Sequence, residues 1–430
     1  MPRDKNIKIE LENENPAGTG CFYAGLELPA TYMEIRDAVQ RARGVGGWEK
    51  YHDIRIRYCR ELPELEDTRL QAPTVRELNC FAARLNGLSE TERTILRAVF
   101  RQRRESGAFD DGVTMKDLIN LTYDLDCVPI ASNVSSDEQL GQHVIECEMD
   151  RDVNSVPKNA RYLLDKARIG QYTREKEAGV YSDGLYIPTC LYHMPEAYDG
   201  VHLPEEFTGK PEVFRLQIAK GPRDDADVTI YDANTPEKKA VWISLPISRA
   251  KADSLARELG ARRIEDCVYY GYESAIPQIT RCVFGGMENF TLLNAIAERF
   301  EAMWESTQIK YKAVLQAERI YSLEKALDVA THIQEYELSY YSMDSADFMR
   351  MYMAHHLPEG FDMGWIDSQL LCGNELIRRL GACMTEYGIV SGRGKPLFEL
   401  VPFNEPQKEE SEALRPTEEN APEIHEQTVL

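Results

Sequence analysis

The chain of 430 residues carries 50 lysines and arginines against 72 aspartates and glutamates, which gives a formal net charge of -22 at pH 7. The length predicts roughly two to four domains, and a hydrophobic content of 43% excludes wholesale disorder. Because no apolar run reaches the roughly 20 residues of a membrane span and no signal-peptide core is present, we expect a cytosolic protein that does not enter a membrane. The charge also argues against direct binding to nucleic acid, whose phosphates it would repel.

The negative charge is concentrated in two blocks and a tail. Residues 105–152 carry a net charge of -10, residues 318–367 carry -7, and residues 404–430 carry -6. The tail is rich in Glu and Pro and poor in aromatic residues, so it is predicted to be disordered. The ten cysteines form no C-x-x-C pair and are interpreted as free thiols in the core.

An internal repeat runs along the chain. The segment CFYAGLELPATYMEIRDAVQRA changes from strand to helix after Leu28-Pro29, and KKAVWISLPISRAKADSLARELGA does so after Leu245-Pro246. The segments TVRELNCFAARLNGL and NFTLLNAIAERFEAM then share the motif L-N-x-[FI]-A-x-R-[LF]. Later, TMKDLINLTYDL matches SLEKALDVATHI, SSDEQLGQHVIE matches DSADFMRMYMAH, and both halves close with a helix and short strands. We interpret the order of these matches as a tandem repeat.

The periodicity predicts a multi-domain α+β chain. Each of its two tandem repeats consists of a small α/β unit, a helical middle and a second small α/β unit. The predicted boundaries are 1–72, 73–132 and 133–190 in repeat one, a joint at 191–210, then 211–288, 289–340 and 341–403 in repeat two, and the tail 404–430.

Motifs of catalytic chemistry are absent from the sequence, which contains no H-E-x-x-H, zinc-ligand or G-x-S-x-G pattern. The nearest phosphate-loop candidate, GIVSGRGKP, has the wrong spacing and is interpreted as a hairpin turn. His355-His356 is interpreted as a charge complement at a helix C-terminus. The sequence therefore predicts no enzyme, no cofactor and no metal site.

Carboxylates spaced along adjacent helices can complement a Lys- and Arg-lined groove that normally holds DNA phosphates. The acidic blocks carry enough carboxylates to cover helices in this way, and they supply the candidate partner-binding residues. These are Asp110, Asp111, Asp117, Asp124, Asp126, Asp137, Glu138, Glu146, Glu148, Asp150, Asp152, Glu324, Asp328, Glu335, Glu337, Asp344, Asp347, Asp362 and Asp367.

The order of motifs resembles the ArdA-type antirestriction proteins of conjugative transposons and plasmids. The resemblance lies in LELPATYMEI, HDIRIRYCREL, VRELNCFAARL and ARIGQYTREKEAGVYSDGLYI, and again in WISLPISRA, YYGYESAIPQI, TLLNAIAERF and IVSGRGKPLFELV. It implies an elongated, acidic α+β chain that is a non-catalytic mimic of bent DNA in the bacterial cytoplasm. Such a mimic occupies the DNA-binding groove of a type I restriction-modification enzyme or its methyltransferase. The resemblance further implies either a homodimer or an intrachain pseudo-dimer of two fused family units.

One departure from the family leaves alternatives open. Each half carries a charge of only -8, and arginines interrupt the first half at Arg41, Arg43, Arg55, Arg57, Arg60, Arg101, Arg103 and Arg104. Mimicry is then confined to the two acidic blocks, or the scaffold serves another target. The main alternative is a non-mimic adaptor of a conjugative element that binds through mixed patches, including Tyr340 and Tyr341. An enzyme with an unrecognised site is the third hypothesis, and a thermal shift with a nucleotide or metal would favour it.

Overall fold

The computed structural model describes residues 4–14, 21–42, 53–204, 207, 212–221, 240–339, 353, 356–358, 360–362, 365 and 377–395. Backbone contacts divide the chain into two compact units, Met1–Thr331 and His332–Leu430. The predicted disordered tail lies outside the described residues. Among those that are described, no helix is both long and apolar enough to cross a membrane.

Helices and short, mostly antiparallel sheets alternate along the chain, which confirms the predicted α+β class. The strands of repeat one are β1 (Ile7–Glu14), β2 (Cys21–Leu28), β3 (Asp53–Cys59), β4 (Leu70–Gln71), β5 (Val113–Thr114), β6 (Ala131–Ser132), β7 (Gly179–Ser182) and β8 (Leu185–Pro188). Its helices are α1 (Tyr32–Arg41), α2 (Val75–Gly87), α3 (Glu90–Glu105), α4 (Met115–Asn120), α5 (Asp137–Glu146), α6 (Arg151–Ser155) and α7 (Lys166–Lys176). Repeat two contributes β9 (Phe214–Lys220), β10 (Val241–Leu245), β11 (Cys267–Ser274), β12 (Leu338–Ser339), β13 (Ala382–Thr385) and β14 (Gly388–Ser391), with α8 (Arg249–Glu258), α9 (Arg281–Phe284), α10 (Phe290–Glu301), α11 (Glu305–Ala317) and α12 (Leu323–Thr331).

The two repeats share the same sheet topologies. The first sheet has the antiparallel order β2-β1-β3 in repeat one and β10-β9-β11 in repeat two, with an irregular register against the third strand in both. The last sheet has the order β6-β8-β7 in repeat one and β12-β14-β13 in repeat two. Two different three-stranded orders therefore recur in the sequence order expected for a repeat.

The shared L-N motif holds the end of the second strand in each repeat. The peptide bonds Leu28-Pro29 and Leu245-Pro246 are both cis. Just after them, Asn79 Oδ1 accepts from the Ala30 N–H (2.6 Å), and Asn79 Nδ2 donates to the Ala30 carbonyl (3.0 Å). Asn294 Oδ1 accepts from the Ile247 N–H (2.8 Å) in the same way. The motif therefore ties α2 of repeat one and α10 of repeat two to the first sheet of the same repeat.

The first sheet and the helical middle of repeat one share one hydrophobic core. Alternate residues of β1 point inward, and helices α2 and α3 begin with capping boxes that start at Thr74 and Ser89. Leu78, Phe81 and Leu85 are buried in this core, at the spacing that predicted a helical face. A separate small core lies between the last sheet of repeat one and helices α5 and α7.

The predicted joint packs firmly against repeat one where it is described. Tyr198 and Asn120 exchange two hydrogen bonds, Asn120 Nδ2 to the Tyr198 carbonyl (3.0 Å) and the Tyr198 N–H to Asn120 Oδ1 (2.7 Å). The Tyr198 hydroxyl donates to Glu77 (2.9 Å), and the Tyr192 hydroxyl donates to the Tyr123 carbonyl (3.0 Å). Tyr192 and Tyr198 therefore belong to the core of repeat one.

The cysteines whose side chains are described are all free. The predicted core position is confirmed for three of them and wrong for five, because those five lie on turns, helix surfaces and strand faces that water reaches. Burial raises the pKa of Cys59 to about 11, which keeps this thiol protonated at neutral pH. The buried cysteines are Cys59, Cys80 and Cys267, and the exposed ones are Cys127, Cys147, Cys190, Cys282 and Cys383.

Candidate acidic interaction surface

Eight of the nineteen candidate carboxylates lie exposed and form no ion pair with another described residue. They lie in the turn after α3, in the loop after α4, on helices α5 and α12, and in the first turn of α6. Glu146 accepts one hydrogen bond from Gln142 one helical turn away. These side chains keep their full charge available for a partner. They are Asp110, Asp111, Asp124, Asp126, Glu138, Glu146, Asp152 and Glu324.

Four other candidates in the first block have structural roles. Asp117 closes the capping box of α4 with Thr114 (2.6 Å), and Asp150 caps α6 by accepting from the Asp152 N–H (2.8 Å). Glu148 binds Lys158 (3.1 Å) and Arg161 (3.0 Å), and these two cations lower its pKa. The fourth, Asp137, accepts hydrogen bonds from Arg174 and Tyr181.

Asp137 joins helix α5 to helix α7 and strand β7. Arg174 donates to both carboxylate oxygens (2.8 and 3.2 Å), and the Tyr181 hydroxyl donates to one of them (2.8 Å). The hydrogen bond from Arg174, followed by the one from Tyr181, holds the pKa of Asp137 below its ordinary value despite partial burial. Asp137 therefore serves chiefly to hold the last unit of repeat one together.

This network predicts a pH-dependent effect of Asp137→Asn. Because the folded-state pKa lies below the unfolded value of about 3.9, the carboxylate contributes stability above that pH and loses it as the pH falls through the folded-state pKa. We expect the substitution to cost about 2 kcal/mol at pH 7 and progressively less below pH 4. Urea unfolding at several pH values measures the difference, and an equal cost at pH 7 and pH 3 would contradict it.

The second block is described in part. In the first compact unit, Glu324 is exposed and Asp328 lies 3.8 Å from Lys325. In the second compact unit, Glu335 binds Arg393, and Glu337 and Asp362 are exposed. Asp344, Asp347 and Asp367 lie outside the described residues, as do Tyr340 and Tyr341 of the alternative hypothesis.

Most arginines that interrupt the acidic character of the first half have carboxylate partners on the same repeat. Ion pairs cross the first sheet from β3 to β1, and others join α1 and α3 to nearby acids. Arg103 and Arg104 lie in the last turn of α3, where the helix dipole favours cations, and Arg43 lies outside the described residues. The pairs are Arg41–Asp37 (3.0 Å), Arg55–Glu12 (3.2 Å), Arg57–Glu10 (2.6 Å), Arg60–Asp4 (2.5 Å) and Arg101–Glu64 (3.1 Å).

The described part of the chain does not bring the acidic residues together at a pocket. A surface cavity of about 430 Å³ lies between β3 and β4 and is lined by Arg55, Arg57 and Arg69 with a single acid, Glu66. Within the described ranges, no cluster of three or more His, Cys, Asp or Glu side chains is arranged to hold a metal. The acidic groups are thus spread over helices and turns, a distribution suited to contact with an extended surface.

The predicted phosphate-loop candidate is a turn that follows a strand. Residues 392–395 come directly after β14 and reverse the chain, with Gly394 at a φ of 70°. The hairpin turn is formed by Glu386 and Tyr387 and precedes β14. It therefore lies one strand earlier than the sequence interpretation placed it. The residues that follow this turn lie outside the described ranges.

In comparisons with known proteins, no family model, no curated protein and no solved structure matches this chain.

The structural role of Asp117 was missed from sequence, although Thr114-x-x-Asp117 has capping-box spacing. The partners of Asp137 carry no such local signal, because Arg174 and Tyr181 lie 37 and 44 residues away.

Proposed function

We propose that this chain is a non-enzymatic antirestriction protein of a conjugative element. It acts as a DNA mimic in the DNA-binding groove of a type I restriction-modification enzyme or its methyltransferase. The observation that carries the proposal is the pairing pattern. Five of the eight arginines that interrupt the first half form ion pairs with nearby acids, whereas seven of the eleven candidate acids between 110 and 152 are exposed and form no ion pair with a described residue. A basic groove facing this region would meet mainly negative charge.

The proposed mechanism is competition by electrostatic complementarity. Carboxylates on turns and helix surfaces take the places of phosphates, so the inhibitor needs no cofactor, no metal and no catalytic residue. The target enzyme works on incoming DNA, which places the inhibitor in the bacterial cytoplasm. Because both surfaces are highly charged, binding should weaken steeply as salt rises.

Charge reversal of unpaired acids tests the proposal. The triple variant Asp111→Lys, Asp126→Lys and Glu138→Lys changes the charge by six units without removing an ion pair. We expect the concentration needed for half-protection of a plasmid from a type I restriction enzyme to rise at least about tenfold. Asp124 is left out because its φ of 53° favours Asp over Lys.

The matched control reverses three exposed acids outside both blocks, Glu27, Glu66 and Asp67, with the same change in net charge. It should change the half-protection concentration by less than about twofold if the location of the charge matters. If both triple variants lost protection equally, the inhibition would depend on net charge and not on where the charge lies. Full protection by the first triple variant would refute the proposed surface.

Two exposed aromatic side chains favour the adaptor as a second candidate function. Trp304 and Tyr321 flank α11 and are 85% and 82% exposed. Large exposed aromatic residues are typical of binding anchors. An adaptor should lose its partner on Trp304→Ala and Tyr321→Ala, with little salt dependence, whereas a DNA mimic should keep its inhibition.

A further inference from the structure

Within the first compact unit, helix α1 of repeat one contacts helix α11 of repeat two. Lys312 Nζ on α11 of repeat two donates to Asp37 Oδ1 (2.8 Å) and to Gln40 Oε1 (2.7 Å) on α1 of repeat one. Beside them, Arg36 Nη2 donates to Gln308 Oε1 (2.8 Å). We name this set of five side chains the α1–α11 clasp. Strand β11 of repeat two also lies against α1.

The centre of the clasp is an ion pair shielded from water. The side chain of Lys312 is 1% exposed and that of Asp37 is 7% exposed. Burial lowers the pKa of Lys312, and the facing Asp37 carboxylate opposes that shift. A buried charge that loses its partner is strongly destabilising, so Lys312 depends on Asp37. Asp37 also pairs with Arg41 (3.0 Å) on its own helix.

The clasp covers a face of α1 that the core of repeat one does not use. That core takes Ile35, Ala38 and Val39 from α1. Met33, Asp37 and Gln40 follow the spacing i, i+4, i+7 on another face and are also buried. The outward face of α1 is therefore the surface on which repeat two docks.

The equivalent face of α8 in repeat two is open. Aligning the N-cap residues Thr31 and Ser248 places Ala250, Ser254 and Arg257 at the positions of the three clasp-face residues of α1. All three are exposed. Ser254 occupies the position of Asp37, the acid at the centre of the clasp, and Arg257 occupies the position of Gln40.

The equivalent face of α3 in repeat one is also altered. Aligning the first residues of α3 and α11 places Arg93 and Arg97 at the positions of Gln308 and Lys312. Both arginines approach Glu61 of their own repeat (3.7 and 3.9 Å). A contact between α8 and α3 would set Arg257 against two arginines with no central acid, so the reverse pairing is disfavoured.

We infer that the α1–α11 clasp is the recognition surface that joins repeat one to repeat two in a single arrangement within one chain. Its partner is helix α11 of the second repeat. The changed residues on α8 and α3 prevent the same contact from forming the other way round. The described residues between 4 and 331 therefore form one cooperative body, with an asymmetric interface between its halves.

A double-mutant cycle on the full chain tests this inference. Asp37→Asn should raise the unfolding equilibrium constant about a thousandfold, because it takes the only carboxylate of the clasp away from the buried Lys312 charge. Lys312→Met should cause a smaller rise, because Asp37 keeps its ion pair with Arg41 (3.0 Å). The double variant should fall at least about tenfold short of the product of the two single effects. Lys325→Met is the matched control, since Lys325 lies on neighbouring α12 in a half-exposed pair with Asp328, and we expect at most about a fivefold change.

Unfolding cooperativity separates a recognition role from stability alone. The transition of the first compact unit should split in two in Lys312→Met, and small-angle scattering should show a larger radius of gyration at unchanged helix content. Should that variant fail to fold, Arg36→Ala at the rim of the clasp gives the same readouts with a smaller change. Independent single effects, or a Lys312→Met variant that behaves like Lys325→Met, would overturn the inference.

Discussion

Replacing Gly170 with alanine should unfold the last α/β unit of repeat one while the remaining units stay folded. Helices α5 and α7 cross at two glycines: a Cβ at Gly170 would overlap the Asp137 carbonyl oxygen, and one at Gly141 would overlap the Lys166 carbonyl oxygen. Both obstacles are backbone atoms that cannot move without separating the helices. Because the core of this unit is small and separate, we expect a cost of about 3 kcal/mol.

Hydrogen exchange of the full chain measures this loss locally. Amides of α5 and α7 should lose protection in Gly170→Ala and Gly141→Ala, whereas those of α2 and β1 should keep theirs. Gly87→Ala is the control, because a Cβ at this helical position meets nothing within 4 Å. Unchanged protection in α5 would mean that the helices do not approach as closely as described.

Much of the fold could be predicted from sequence because its signals are local. The change of period after Leu28-Pro29 and Leu245-Pro246, and the apolar spacing of Leu78, Phe81 and Leu85, mark elements and their buried faces. The order of strands within each sheet carries no such signal. The parallel pairing of Leu70–Gln71 with Val113–Thr114 joins segments about forty residues apart, and no periodicity in the sequence predicts it.

The candidate surface was predictable as a charge density but not residue by residue. Asp137 and Glu138 are adjacent in sequence, yet Arg174 and Tyr181 bind the first while the second remains exposed. Whether a carboxylate is free depends on which cation the tertiary fold brings to it. Lys312 shows the same limit, because its partner lies 275 residues away on the other repeat.

The separation of paired from unpaired acids changes how a charge-based function should be tested. A reversal at Asp117 or Asp137 would remove a helix cap or a buried network, so loss of inhibition there would report unfolding. Asp111, Asp126 and Glu138 have no described ion-pair partner to lose. Loss of inhibition in their reversals would report the interface itself.

Asn79→Ala should destabilise the first compact unit considerably more than Asn294→Ala, although the two residues occupy the same place in their repeats. Asn79 is 4% exposed and makes two hydrogen bonds to the backbone of Ala30, which is 1% exposed. Its removal deletes both of these buried hydrogen bonds, and we expect a cost of about 3 kcal/mol. Asn294 is half-buried and makes one such bond, to half-buried Ile247, which water can replace at a cost of about 1 kcal/mol.

Urea unfolding of the full chain compares the two variants, since both residues lie in the same compact unit. Asn79→Asp separates the lost hydrogen bonds from the lost volume: it keeps an acceptor for the Ala30 N–H but turns a carboxylate oxygen toward the Ala30 carbonyl. If hydrogen bonding dominates, this isosteric variant should be nearly as destabilised as Asn79→Ala. Near wild-type stability in Asn79→Asp would instead assign the cost to the cavity left by alanine, and equal costs at both asparagines would show that burial does not decide the difference.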